Sequence, residues 1–185
     1  MIQTLTIYML VGMGALALLC FAFFAVVRAF RVKEAAFFRS PWMAVNILEN
    51  FLSLDEDSYF YDLGCGDGRV MRAFFERYPK AHYLGVEKNW LPYLSFFIQN
   101  GRIIGNRFDV ERANLFEVDL SNATHVFSYL LPPMMDKLER KLDRELRSGT
   151  KVVSLDFPLK SRKPKETVKF FDKSKQDRFI YIYEY

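Results

Sequence analysis

At 185 residues the chain is long enough for one ordinary domain and a flanking segment, and too short for a cofactor domain joined to a separate substrate domain. Its 26 basic and 22 acidic side chains leave a net charge of +4, and 19 Phe and 10 Tyr supply bulk for a core. Two cysteines and two unclustered histidines exclude a disulfide scaffold and argue against a metal centre.

The charges are unevenly placed. Residues 1 to 27 contain none, and Leu5 to Val27 is a mostly apolar run of 23 residues, enough for a helix to span a bilayer. Arg28, Arg31 and Lys33 follow at once, and basic residues beside a span favour the inner side. The pattern predicts a single-pass transmembrane helix over 1–33, its amino terminus outside, and a domain over 34–185 on the cytoplasmic (or matrix-equivalent) side. A cleaved signal peptide is the competing reading, but no basic residue precedes the run.

Pro41 to Leu52 reads as an amphipathic helix, capped by Ser40 and opened by Pro41, with Met43, Ile47, Leu48 and Phe51 on one face. A strand near 58–63 leads to a helix that Pro79 stops, then to a strand at 82–87 and a helix from about 90 to 100 closed by Asn100-Gly101. A weak strand near 107–112 precedes Asn114. A strand at 124–129 gives way at Pro133 to a charged helix through Arg147, and a fifth strand follows at 150–156. Thr167–Phe171 and Phe179–Tyr185 alternate as the two arms of a hairpin, with no helix evident before them. This alternation predicts an α/β fold: a mainly parallel sheet with a C-terminal antiparallel hairpin. Phe74, Phe75, Phe96 and Phe97 read as packing between helix and sheet.

The segment Phe60-Tyr61-Asp62-Leu63-Gly64-Cys65-Gly66-Asp67-Gly68-Arg69-Val70 carries the chemistry. An apolar strand runs into three alternating glycines and a helix, so the backbone can turn sharply and a ligand can lie against main-chain N–H groups. Asp62 stands at the carboxyl end of the strand, where open α/β sheets place ligands. Glu87 ends the next strand some 25 positions later, roughly where a carboxylate reaches a ribose diol. The spacing is G-x-G-x-G rather than the dinucleotide G-x-G-x-x-G, and no phosphate-loop motif occurs. These features point to a nucleoside-containing cofactor that is neither NAD nor a nucleoside triphosphate held in a phosphate loop.

D-x-G-x-G-x-G with a Glu at the end of strand two resembles the class I S-adenosylmethionine methyltransferases, which have a Rossmann-like fold. Gly85-Val86-Glu87-Lys88-Asn89-Trp90-Leu91, Asn114-Leu115-Phe116-Glu117, Tyr129-Leu130-Leu131-Pro132-Pro133-Met134-Met135 and Val152-Val153-Ser154-Leu155-Asp156-Phe157 extend the likeness. Over about residues 40 to 160 the chain is similar to the protein-lysine methyltransferases of the ATP-synthase c subunit and the adenine nucleotide translocase, and to their bacterial relatives. The resemblance implies S-adenosyl-L-methionine as cofactor, held by Asp62, Gly64, Cys65, Gly66, Gly68, Glu87, Lys88, Asn114 and Leu115. Asn114 stands where such enzymes usually carry an acid facing the adenine amino group. Tyr129 and Asp156, ending strands four and five, are the candidates for positioning the amine.

The implied acceptor is a lysine of a membrane-embedded or membrane-proximal protein. Methylation of RNA or a small molecule is the alternative within enzymes, and a membrane scaffold that keeps the fold without catalysis is the alternative outside them. The run from Lys160 to Arg178, with eight basic and three acidic residues, reads either as a solvated hairpin or as a surface facing anionic lipid. Nucleic acid ranks lower, because no RNA-binding motif is present.

Overall fold

A computed structural model describes residues 12–25, 39–172 and 176–185, and the chain divides into two units, Met1–Phe37 and Phe38–Tyr185. In the first, residues 12–25 form helix α1, uncharged and exposed along its described length. Fourteen helical residues reach about 21 Å at 1.5 Å each, short of the roughly 30 Å of a bilayer core. Among the described residues no helix is long and apolar enough to cross a membrane. The expected span Leu5–Val27 is thus not carried by a described helix, and its two ends lie outside the described residues.

The second unit runs α2 (Trp42–Leu48), β1 (Tyr59–Leu63), α3 (Arg69–Arg77), β2 (His82–Val86), α4 (Trp90–Asn100), β3 (Phe108–Glu111), β4 (His125–Ser128), α5 (Pro132–Glu145), β5 (Lys151–Leu155), β6 (Glu166–Phe171) and β7 (Asp177–Glu184). The strands form one sheet in the order β3-β2-β1-β4-β5-β7-β6. β1 to β5 are parallel, while β7 pairs antiparallel with both β5 and β6. Leu63 lies opposite Val86 on β2 and Ser128 on β4, and Ser128 lies opposite Ser154 on β5. The register therefore brings the carboxyl ends of β2, β1, β4 and β5 into one row, with the reversal of strand order between β1 and β4, the place where such sheets bind ligands.

Side chains alternate across the sheet and make two cores. Phe60, Met71, Phe74, Tyr83, Phe96 and Phe108 pack on the face covered by α2, α3 and α4, with the Phe60 and Phe74 rings stacked 5.1 Å apart. Leu63, Val86, Val126, Leu138, Leu142 and Tyr183 pack on the face covered by α5. Phe74 and Phe96 are packing residues as expected, whereas Phe97 is more than a third exposed.

Three local expectations are corrected. α2 ends at Leu48 and is half the expected length; Pro41 is its cap rather than its first residue, and the Ser40 side chain makes no cap bond. Its buried face is Ala44, Val45 and Leu48, so Met43 points outward. Gly101 after α4 has ordinary right-handed helical angles, so it does not act as a left-handed stop. The basic run is not a bare cationic surface. Lys160, Arg162, Lys165, Lys169 and Arg178 each pair with a carboxylate, from Asp136, Asp143, Glu184, Asp177 and Asp156 respectively.

His125 begins β4 at the end of the sheet away from this row. Its Nε2 is buried without a hydrogen-bond partner, and burial, with Lys151 nearby, pushes the imidazole down to about 4. The unfolded chain takes up a proton below about pH 6.5 that the folded chain refuses until about pH 4. Stability should therefore be unaffected by this group above pH 6.5 and fall as pH drops through that window, by at most about 3 kcal/mol. Urea denaturation of wild type and His125→Asn at pH 7 and pH 4.5 tests this, the variant losing less stability on acidification.

Candidate active site

Between β1 and α3 the chain must reverse within five residues, and Gly64, Gly66 and Gly68 make this possible with φ of 85°, 58° and 73°. The Val86 carbonyl accepts the N–H of both Gly64, at 2.8 Å, and Cys65, at 3.1 Å. The Gly66 N–H donates to Glu87 Oε2 at 3.2 Å, and the Asn89 N–H to Oε1 at 2.7 Å. The end of β2 thus holds the turn through one carbonyl and one side chain. Behind it lies α4. A Cβ on Gly68 would overlap the Phe96 ring and stand 3.0 Å from Asn100 Nδ2. Asn100 is buried and donates to the Asp67 carbonyl at 2.9 Å and the Phe96 carbonyl at 2.8 Å. Expected only as part of a helix stop, Asn100 is a prop for the turn.

Three buried carboxylates, Asp62, Asp67 and Glu87, surround the turn. Asp67 is neutralised locally: Arg69 donates to Oδ1 at 3.2 Å and Oδ2 at 2.9 Å, and Arg39 lies 3.4 Å away. Against the opposing effect of burial, Arg69 holds this carboxyl below its ordinary value. Asp62 is the reverse case. Its Oδ2 is buried with no hydrogen-bond partner, and burial first, then Glu87 and Asp67, push the carboxyl well above the usual carboxylate range. A buried acceptor among like charges is relieved by a ligand that brings positive charge and an N–H donor. S-adenosylmethionine, with a sulfonium, an ammonium and a ribose diol, fits these residues.

The other expected cofactor residues are less directly engaged. Cys65 turns its side chain inward, its Sγ 2.7 Å from where a Cβ on Gly85 would stand. Burial pushes its thiol well up, so the backbone of Cys65 belongs to the turn and its sulfur to the core. Lys88 is exposed. Asn114 donates to Glu117 at 2.9 Å and accepts the Phe116 N–H at 3.3 Å, closing its own turn. Leu115 is buried in the α5-side core.

Across the same row, Tyr129 and Asp156 follow β4 and β5, and the structure brings them together through a residue that sequence reasoning missed. Arg178 Nε donates to Asp156 Oδ1 at 2.8 Å, and its Nη2 lies 2.6 Å from Oδ2 and 3.0 Å from the Tyr129 hydroxyl. Asp172 lies 3.3 Å from Nη1. Phe157 stacks on Tyr129 with ring centroids 6.4 Å apart. Asp156 has φ 64°, the only left-handed non-glycine among the described residues, a conformation that surrounding contacts must enforce. The available signal was the hairpin itself: its last strand begins beside the end of β5, and Arg178 is the basic residue there.

Sheet order, glycine turn and the carboxylate after β2 define a class I S-adenosylmethionine-dependent methyltransferase. Residues 62–166 match the ANTKMT methyltransferase domain. A protein-lysine N-methyltransferase of Saccharolobus islandicus is 32% identical over 155 residues, 82% of this chain and 94% of that protein. The lysine N-methyltransferase of the ATP synthase C subunit from Mus musculus is 32% identical over 108 residues; the match covers 57% of this chain and 42% of the mouse protein. The crystal structure of an RNA methyltransferase from Salinibacter ruber with S-adenosyl-L-homocysteine aligns at TM-score 0.69 and 30% identity, over 80% of this chain and 93% of that one. The chain belongs to the ANTKMT methyltransferase family, a family of S-adenosylmethionine-dependent protein-lysine methyltransferases.

Glu87→Ala removes both the acceptor facing the expected ribose and the tie on the Gly66 and Asn89 amides. Titration calorimetry with S-adenosylhomocysteine should find binding weaker by about 1.5–3 kcal/mol, the range for hydrogen bonds to a charged group. Unchanged affinity would remove Glu87 from the cofactor site.

Proposed function

We propose that the protein transfers a methyl group from S-adenosylmethionine to a lysine of a membrane or membrane-proximal protein. Asp62, Gly64, Gly66, Gly68 and Glu87 form its cofactor cradle, and Tyr129, Asp156 and Arg178 its acceptor side. The observation that carries this reading is their placement: a cradle suited to a cationic nucleoside and a fixed polar cluster stand at neighbouring strand ends of one sheet.

The cofactor, when bound, supplies a methyl group already activated by the sulfonium charge. What remains for the chain is to orient a neutral amine and exclude water. Lysine's ordinary value near 10.4 leaves it protonated at neutral pH, and apolar walls such as Leu130 and Phe157 lower it by desolvation. Burial, then the charge of Asp156, raises the Tyr129 hydroxyl above its ordinary value, so it stays protonated and is no base at neutral pH. Its oxygen accepts from Arg178, its proton is directed to Asp156, and a remaining lone pair can accept an N–H of the incoming amine. Asp156, gripped through both oxygens by Arg178, orients rather than deprotonates. The amine proton leaves to solvent.

Membrane placement rests on the uncharged stretch at residues 1–27 followed by Arg28, Arg31 and Lys33, which supports an anchor with the domain on the inner side. The mouse relative's printed substrate, a component of ATP synthase, agrees with that acceptor class. RNA is the second reading, favoured by the 30% identity to the Salinibacter ruber RNA methyltransferase.

Incubating the full-length protein and membranes from its own source with radiolabelled S-adenosylmethionine decides between them. Label recovered as methylated lysine after protein hydrolysis is the expected outcome, and label in RNA or lipid alone would overturn the reading. In the same assay Arg178→Met should lower kcat/KM on the order of tenfold to a hundredfold, the scale for a misplaced reacting group. Its affinity for S-adenosylhomocysteine should stay within about twofold of wild type, because Arg178 contacts no cradle residue; a parallel loss of cofactor binding would make its role structural.

A further inference from the structure

Helix α4 presents an apolar face that the domain leaves uncovered. Trp90, Leu91, Leu94, Phe97 and Ile98 are exposed, Leu91 by 58% and Ile98 by 78%. Their spacing at i, i+1, i+4, i+7 and i+8 puts them on one stripe of the helix. The opposite side, Pro92, Phe96 and Asn100, is buried. Scattered exposed apolar side chains need no explanation, but five on one stripe form a contiguous patch of the kind that marks a contact surface.

The charges around this stripe identify its partner. α4 carries none, and from Lys88 to Phe108 the charged residues are Lys88, Arg102 and Arg107, all basic. Lys88 and Arg102 are exposed at the two ends of the helix. Arg112, from the far end of β3, lies over the Trp90 ring at 5.2 Å. An uncharged apolar stripe with a tryptophan at its edge and a basic rim is the pattern of a segment that lies in a membrane interface. Rings settle at headgroup depth, aliphatic side chains enter the acyl boundary, and cations meet anionic lipid. A soluble protein partner would need no cationic rim. The basic hairpin from Lys160 to Arg178, by contrast, spends most of its charge on its own carboxylates.

We infer that the exposed face of α4 docks on the surface of a bilayer containing anionic lipid. This deepens the membrane reading above and rests on it for the identity of the acceptor, while the docking itself is tested separately. The consequence for the enzyme is orientation. The helix starts beside Glu87, through the Asn89 amide, and props the glycine turn through Asn100. A bilayer under α4 therefore lies beside the cofactor cradle, and the acceptor enters from the headgroup region.

The chain has two tryptophans, Trp42 and Trp90, so Trp42→Phe leaves Trp90 as the only indole reporter. The full-length protein with this change is reconstituted in vesicles of phosphatidylcholine and phosphatidylglycerol, with or without bromine on the acyl chains. Trp90 emission should shift to the blue and fall by half or more in the brominated vesicles. Adding Leu94→Glu and Ile98→Glu should abolish the quenching while leaving S-adenosylhomocysteine affinity within twofold. Equal Trp90 emission in both vesicle types, with full access to aqueous iodide, would overturn the proposal. So would shielding of Trp90 without lipid together with a doubled mass in sedimentation, which would assign the face to a second copy. Quenching in a protein that labels only soluble acceptors would uphold the docking face and overturn the acceptor reading.

Discussion

One carbonyl oxygen, that of Val86, accepts the amides of both Gly64 and Cys65, and the functional end of the domain is arranged around that shared bond. A chain leaving β1 can reach the end of β2 and still start α3 only if it turns through left-handed angles at alternate positions, which glycine permits at little steric cost. Once the turn is fastened there, Glu87 falls beneath the Gly66 amide and α4 is brought across the back of Gly68, with no room for a side chain between them. Cofactor cradle and helix packing are consequences of the same geometry.

The opposite half of the site depends on the antiparallel strands. β7 is inserted between β5 and β6, and its first residues carry Arg178 to the end of β5. The guanidinium compensates a carboxylate held in a strained backbone conformation and fixes the phenol of Tyr129, so three elements share one electrostatic unit. Such strain persists only where neighbouring contacts over-determine it. Here Arg178 and the Phe179 N–H, 3.3 Å from Asp156 Oδ1, supply them.

Much of this was legible in the sequence, because periodicity and glycine spacing report local backbone requirements. The strand and helix order, the hairpin without a preceding helix, and Asp62, the three glycines and Glu87 all follow from residues close in the chain. What escaped were contacts made across it. Asn100 reads as a helix-ending amide, and only the fold brings it under the Asp67 carbonyl. Arg178 reads as one basic residue among eight, and only strand register selects it. Met43 falls on the wrong face in the sequence because α2 is too short for its periodicity to settle which side is buried. Cys65 sits in the motif, yet its side chain faces the core, which spacing alone does not reveal.

Asp67 does more than complete the turn. Arg69 grips its carboxylate and also donates to the Ser40 carbonyl at 3.2 Å, while Arg39 reaches the same carboxylate. The segment at which the folded domain begins is therefore latched to the loop that receives the cofactor. Thermodynamic linkage makes such a latch work in both directions. Ligand that stiffens the loop also stiffens the entry segment, and tension or release at residues 39 and 40 changes how tightly the loop holds its ligand. Where the chain enters the domain is thereby a point of control.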